Sequence, residues 1–260
     1  MRPSKALGQH FLIDPNLARA IVSDARIEPG DRVVEVGAGL GSLTVALADV
    51  AGEVVAVEAD PALVPALRDA VDGLDRVRVV EGDALRIDWH TELPGEAWRM
   101  ASNLPYNVAV PLVFRMLDGA PQVDRFLVMV QREVGERMAA RPGAGAYGGV
   151  SVRLSYLADV EIVRRVPASV FWPRPNVESV LVRIVPREPP VDVEREGLFR
   201  VVEAGFAQRR KTMRNALVRL GLSAGEAEAA LSACGIAVDV RAEQLGLGDF
   251  ACLADAVSRG

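Results

Sequence analysis

DRVVEVGAGLGSLTVALADVA, residues 31–51, changes its period at a cluster of glycines. Before the glycines, Val33, Val34 and Val36 form a short β-branched apolar run, the pattern of a buried strand. After them, Leu43, Leu47 and their neighbours repeat at helical spacing. Gly37, Gly39 and Gly41 therefore stand in a strand-to-helix turn. Without a Cβ, such a turn lets a ligand approach the backbone closely, beside the positive end of the following helix. A pyrophosphate cradle has the spacing GxGxxG. The spacing here is GxGxG, preceded by Glu35. It suits a nucleoside ligand without phosphates packed against the turn, of which S-adenosyl-L-methionine is the common example.

Upstream, DPNLARAIVSDA (14–25) reads as a helix with Asp14 as its cap and Pro15 at its first position. Downstream, strands are predicted in GEVVAVEADP (52–61), RVRVVEGDAL (76–85), WRMASNLPYN (98–107) and VDRFLVMVQREV (123–134). Strands alternating with helices at this interval predict βαβ units and a mostly parallel sheet. The segment VFWPRPNVESVLVRIV (170–185) alternates like an edge or antiparallel strand. PREPPV (186–191) is a proline-rich linker, and the remainder is helical. The expected fold is α/β: a Rossmann-like sheet over residues 1–187, with an N-terminal arm over 1–14. A small helical domain is expected over 188–260.

Ligands of open α/β sheets lie at the carboxyl ends of the strands. Glu58 ends the second strand, placed to accept hydrogen bonds from two ribose hydroxyls. Asp83 ends the third, placed to accept from an adenine amine; Asp60 and Asp83 also suit helix caps. The fourth strand ends in Asn103-Leu104-Pro105-Tyr106. The exocyclic amine of a base is a poor nucleophile, because its lone pair is delocalised into the ring. The Asn103 side-chain oxygen and the Leu104 carbonyl can hold its two hydrogens, freeing the lone pair for a methyl donor. Pro105 stiffens the turn, and Tyr106 can stack on the base. A target base must leave its stack to enter such a pocket, and Phe171 is the candidate second ring. His90 reads as a loop residue.

The composition agrees with this reading. The chain has 260 residues, 50% of them hydrophobic and 25% charged, enough for a sizeable core. There is no secretory h-region and no long apolar run, so neither export nor a membrane span is expected. Cys234 and Cys252 form no CxxC and stand near no histidine pair. Neither a disulfide framework nor a metal site is expected, and a reducing, cytoplasmic setting fits. The net charge of −5 hides a local bias. Residues 200–219 hold six basic side chains against one acid, Glu203. Arg209, Arg210, Lys211 and Arg214 lie in that stretch and suit a polyanion, although a solvated helix face would look the same.

Together these segments resemble the ribosomal RNA adenine dimethyltransferase family (KsgA-type) along nearly the whole chain. The resemblance rests on GQHFLID (8–14), EVGAGLGSLT (35–44), VEAD (57–60), EGDAL (81–85) and NLPYN (103–107). It continues through VFWPRPNVESVLVRI (170–184), FAQRRKTMRNAL (206–217) and RAEQL (241–245). It implies S-adenosyl-L-methionine as cofactor and dimethylation of N6 on two adjacent adenosines. These lie in the 3′-terminal hairpin loop of 16S rRNA, within an assembling small ribosomal subunit. Nothing in the sequence suggests more than a monomer. By resemblance His10 and Leu12 close over the cofactor, His10 standing where many members have Asn. Gly37, Glu58, Asp83 and Asn103 contact the cofactor, and Asn103, Leu104, Tyr106 and Phe171 form the target-amine site. Arg209, Arg210, Lys211 and Arg214 contact rRNA phosphates. Two rivals share the motifs: an Erm-type enzyme acting on 23S rRNA, and a non-catalytic ribosome assembly factor. The FAQRRKTMRN segment favours the small-subunit branch.

Overall fold

The computed structural model describes residues 9–208 and 210–259. Its strands are β1 (Phe11–Leu12), β2 (Arg32–Val36), β3 (Glu53–Glu58), β4 (Val77–Glu81), β5 (Trp98–Asn103), β6 (Val123–Gln131), β7 (Ala158–Val166), β8 (Phe171–Trp172) and β9 (Ser179–Pro186). The helices are α1 (Pro15–Asp24), α2 (Ser42–Ala48), α3 (Val64–Ala70), α4 (Trp89–Glu92), α5 (Ala109–Gly119), α6 (Arg132–Met138), α7 (Gly149–Leu157), α8 (Arg195–Phe206), α9 (Met213–Arg219), α10 (Ala224–Ala233) and α11 (Leu247–Arg259).

The main sheet runs β4-β3-β2-β5-β6-β9-β7. The pairs β4–β3, β3–β2, β2–β5 and β5–β6 are parallel. A central parallel strand is covered on both faces, which is why Val33 and Val34 of β2 are both fully buried. The chain order reverses between β2 and β5. That reversal opens a crevice beyond the strand ends, where such sheets bind ligands. Asp14 caps α1 by accepting from the N–H groups of Asn16 (2.8 Å) and Leu17 (3.4 Å). The helix buries Leu17, Ala18, Ile21 and Val22 on one face.

Three expectations about organisation need correction. Within 170–185 the chain forms two strands. Residues 171–172 pair with β1, while β9 lies antiparallel to β6. Of the two readings of this segment, antiparallel holds and edge does not: β7 flanks β9, and Val180, Leu181, Val182 and Ile184 are all buried. Next, the proline linker does mark a change of unit at Pro186/Arg187, but residues 136–160 go with the helical part. The first unit is the described chain up to Gly135 plus Glu161–Pro186, and the second is Glu136–Val160 plus the chain from Arg187. Apolar side chains of 136–160 supply the reason. Tyr147, Val152 and Tyr156 are buried in one core with Leu198, Val202, Leu217, Leu231 and Phe250, and the Tyr147 hydroxyl donates to the Leu245 carbonyl at 2.9 Å.

Finally, Cys234 and Cys252 form a disulfide, with Cα atoms 5.8 Å apart. Spacing gave no sign of it because the pair is neither a framework nor a metal motif. The packing of α10 against α11 brings the two residues together. Among the described residues, no helix is long and apolar enough to cross a membrane.

Candidate active site

The crevice holds a cavity of about 420 Å³. Four strand ends supply most of its wall: Val36–Leu40 after β2, Glu58–Asp60 after β3, Gly82–Leu85 after β4 and Asn103–Val108 after β5. Gln9, His10, Phe11 and Leu12 of the arm complete it. Of the thirteen side chains or glycines expected in functional roles, His10, Leu12, Gly37, Glu58, Asp83, Asn103, Leu104 and Tyr106 meet here.

The glycine turn is shaped by close approach. Gly37 has φ +78°, and a Cβ on it would lie 3.3 Å from Pro105 Cδ. A Cβ on Gly39 (φ +57°) would lie 3.2 Å from the Phe11 ring. The N–H groups of Gly37 and Ala38 both donate to the Val57 carbonyl, at 2.8 and 3.1 Å. Any side chain here would push the turn away from either the NLPY segment or the arm.

Glu58 is buried, and both its oxygens are held. Oε2 accepts from Gly39 N–H (2.8 Å) and Oε1 from Asp60 N–H (2.8 Å). Each carboxylate oxygen keeps a further lone pair for a ligand. Asp83 is exposed and accepts from Leu85 N–H at 3.0 Å, so it is a turn cap and a cavity residue at once. Asp60 likewise caps its turn, accepting from Ala62 N–H at 3.0 Å. Its other oxygen accepts from Gln9 Nε2 (2.7 Å), which ties the arm to the end of β3.

At the end of β5, Asn103 Nδ2 donates to the His10 carbonyl at 3.1 Å. That bond sets the amide's orientation and leaves Oδ1 as the free acceptor. The Leu104 N–H donates to the Met129 carbonyl (3.1 Å), anchoring the tetrapeptide to β6. The Tyr106 hydroxyl shares a hydrogen bond of 2.8 Å with Ser179 Oγ. Burial raises this phenol above its ordinary range, so it stays neutral. The His10 ring lies 5.2 Å from the Tyr106 ring, tilted by 31°. Its Nδ1 donates to the Pro173 carbonyl at 2.7 Å; since a carbonyl only accepts, Nδ1 carries a proton.

Glu35 received no role from the sequence, yet it lines the cavity and is only 1% exposed. Thr44 Oγ1 donates to it at 2.5 Å. Burial, opposed by this hydrogen bond and aided by the nearby Glu58 charge, pushes its carboxyl up to about 8. A carboxylate directly before a glycine turn in a buried strand was the signal available.

Phe171 is a correction. It is 2% exposed, packs in the core with Leu12, Leu17 and Leu181, and does not line the cavity. Successive residues of a strand face opposite sides. Pairing of β8 with β1 turns Phe171 inward with Leu12 and puts Trp172 on the other face, across from Phe11, where the indole is exposed and Phe11 is buried. Of the expected RNA contacts, Arg210 and Lys211 are exposed and Arg214 Nε pairs with Glu228 Oε1 at 2.7 Å. Arg209 lies outside the described residues.

The chain is 50% identical over 262 residues to Ribosomal RNA small subunit methyltransferase A of Thermobifida fusca, covering 98% of this chain and 90% of that protein. It is 48% identical to the protein of the same name from Streptomyces griseus, covering 98% and 89%. Among solved structures, a dimethyladenosine transferase from Plasmodium falciparum has the same fold, with a TM-score of 0.79, 24% identity and coverage of 94% and 96%. The 23S rRNA methyltransferase ErmE superposes with a TM-score of 0.72 at 26% identity, covering 95% and 99%. Residues 2–258 match the family described as Ribosomal RNA adenine dimethylase, and with the glycine turn, the paired strand-end acids and NLPY converging on one cavity, the chain belongs to that family.

Proposed function

We propose that this protein uses S-adenosyl-L-methionine to dimethylate N6 of two adjacent adenosines in the 3′-terminal hairpin loop of 16S rRNA. It acts as a monomer, in the cytoplasm, on the small ribosomal subunit or its precursor. One observation carries the chemistry. The Asn103 amide is held through Nδ2 by the His10 carbonyl, which leaves Oδ1 as an acceptor in the same cavity as Glu58 and Asp83.

The residues present fit the cofactor. The glycine turn offers space that any Cβ would fill, and buried Glu58 and exposed Asp83 stand at successive strand ends as acceptors for ribose hydroxyls and an adenine amine. When bound, the cofactor supplies a methyl group on a positively charged sulfur, a leaving group that needs no proton. The rest is positioning by this chain. Asn103 Oδ1 and the Leu104 carbonyl accept the two amine hydrogens, so the nitrogen lone pair turns out of the ring plane. Tyr106, its hydroxyl held by Ser179, gives the base a flat surface. His10 and Leu12 close the arm over the cavity. Arg210 and Lys211, with Arg209 and Arg214, contact rRNA phosphates.

The small-subunit reading is supported by relatives of that name at about half identity, against 26% for the 23S enzyme. Transfer of labelled methyl to unmethylated small subunits tests it, with large subunits in parallel and the modified nucleosides identified. N6,N6-dimethyladenosine on the small subunit alone is expected. Label on large-subunit RNA overturns the substrate. No label on either, with small-subunit binding intact, leaves a non-catalytic assembly factor.

A further inference from the structure

We infer that Trp172 is a stacking platform for the nucleotide next to the target adenosine. Three observations carry this, and it rests on the proposed RNA substrate. First, Trp172 is 50% exposed, whereas the other tryptophans, Trp89 and Trp98, are 1% and 0% exposed. Among the exposed large apolar side chains of the described residues, Trp172 is the one aromatic ring.

Second, this ring is built into the rim of the site. It stacks on Phe11 with centroids 6.4 Å apart and planes 23° from parallel. Phe11 itself lines the cavity and lies against Gly39 of the glycine turn. The β1–β8 pairing sets Trp172 opposite Phe11, and the next residue, Pro173, holds the His10 ring through its carbonyl. The indole is thus one ring away from the cavity wall, on a backbone tied to it twice. Ile13, 58% exposed, follows Phe11 by two residues on the same face of the arm.

Third, Arg174 is exposed, and among the described residues no carboxylate pairs with it. An exposed aromatic ring with a free guanidinium two residues further along the chain offers the chemistry that holds single-stranded RNA: stacking for the base, charge for the phosphate. The reaction itself creates the ligand. Extruding the target adenosine unstacks its neighbour, and the indole replaces the lost stacking surface. The occupant is therefore a purine, the second adenosine of the pair.

The test uses the full-length protein, a synthetic RNA hairpin with two adjacent adenosines in its loop, and unmethylated small subunits. Because Trp172 is the exposed tryptophan, indole emission reports on it directly. Hairpin RNA should quench the exposed fraction of the emission, and Trp172→Phe should abolish that change while retaining most binding. Trp172→Ala should raise KM for small subunits about tenfold, with a smaller effect on kcat. Arg174→Ala should weaken binding and reduce its salt dependence. Wild-type transfer with an unaltered KM in Trp172→Ala overturns the platform and leaves the proposed function standing. A hairpin that binds without quenching, while whole subunits do quench, also overturns it, in favour of a ribosomal protein against the indole. No transfer to either subunit by the wild type overturns the function and this inference together.

Discussion

On the proposed reading the cavity and the basic stretch of the helical unit serve the same RNA, but they are built on opposite plans. In the cavity nearly every polar group is held. Glu58 is fixed by two backbone N–H groups, Asn103 by the His10 carbonyl, Tyr106 by Ser179 and Asp60 by Gln9. In the helical unit, Arg210 and Lys211 are exposed, and among the described residues no carboxylate pairs with either. The difference follows from the physics of each task. Aligning a lone pair with a methyl group demands fixed geometry, and loosening one acceptor loses most of the rate. Attraction to phosphates is long-ranged and tolerant of direction, so mobile side chains serve it well.

Substitutions at the two places should therefore fail differently. The largest effect is expected from Asn103→Ala, which removes one of two acceptors for the target amine. Methyl transfer should fall by about a hundredfold or more, with small-subunit binding nearly unchanged. Unaltered transfer would remove Asn103 from the chemistry. Glu58→Ala should weaken S-adenosyl-L-methionine binding by about 10- to 100-fold, as expected for charged hydrogen bonds in a buried place. Calorimetric titration with the cofactor measures this; an unchanged Kd would make Glu58 a purely structural brace for the turn.

Arg210→Glu combined with Lys211→Glu should weaken small-subunit binding by about tenfold at most and leave kcat near wild type. The slope of log affinity against log salt should shrink by roughly 1 to 2. A slope identical to wild type would make these side chains a solvated face.

The last prediction concerns Glu35 and is read in stability, with the smallest expected effect on methyl transfer. Its carboxyl titrates at about 8 in the fold, against an ordinary 4.5. Between those values the folded protein holds a proton that the unfolded chain has released. Stability from this group is whole below about 4.5 and declines as pH rises toward about 8. In cofactor-free protein, Tm should thus drop less for Glu35→Gln than for wild type over that range. Equal drops would mean that Glu35 is already charged in the fold.

Much of the cavity was legible because its parts are local. Gly37, Glu58, Asp83 and Asn103 each stand at the end of a strand visible as a short apolar run, and a doubly wound sheet brings such ends together. The aromatic of VFWPRP was harder. Phe171 and Trp172 are equally apolar, and only pairing with Phe11 and Leu12, some 160 residues earlier, decides which one faces water. The same holds for Gln9 on Asp60 and for the bond between Cys234 and Cys252.

Period, glycine spacing and helix caps depend on neighbours within a few residues, so the residues alone established the α/β order and the glycine turn, while the family came from a resemblance of motifs spread along nearly the whole chain. Other features depend on segments far apart in the chain coming into register. These are the inward turn of Phe171, the outward Trp172, the bond of Asn103 to the His10 carbonyl and the transfer of 136–160 to the helical core. Burial of apolar surface selects among such pairings, and it acts on the assembled fold rather than on any stretch of it.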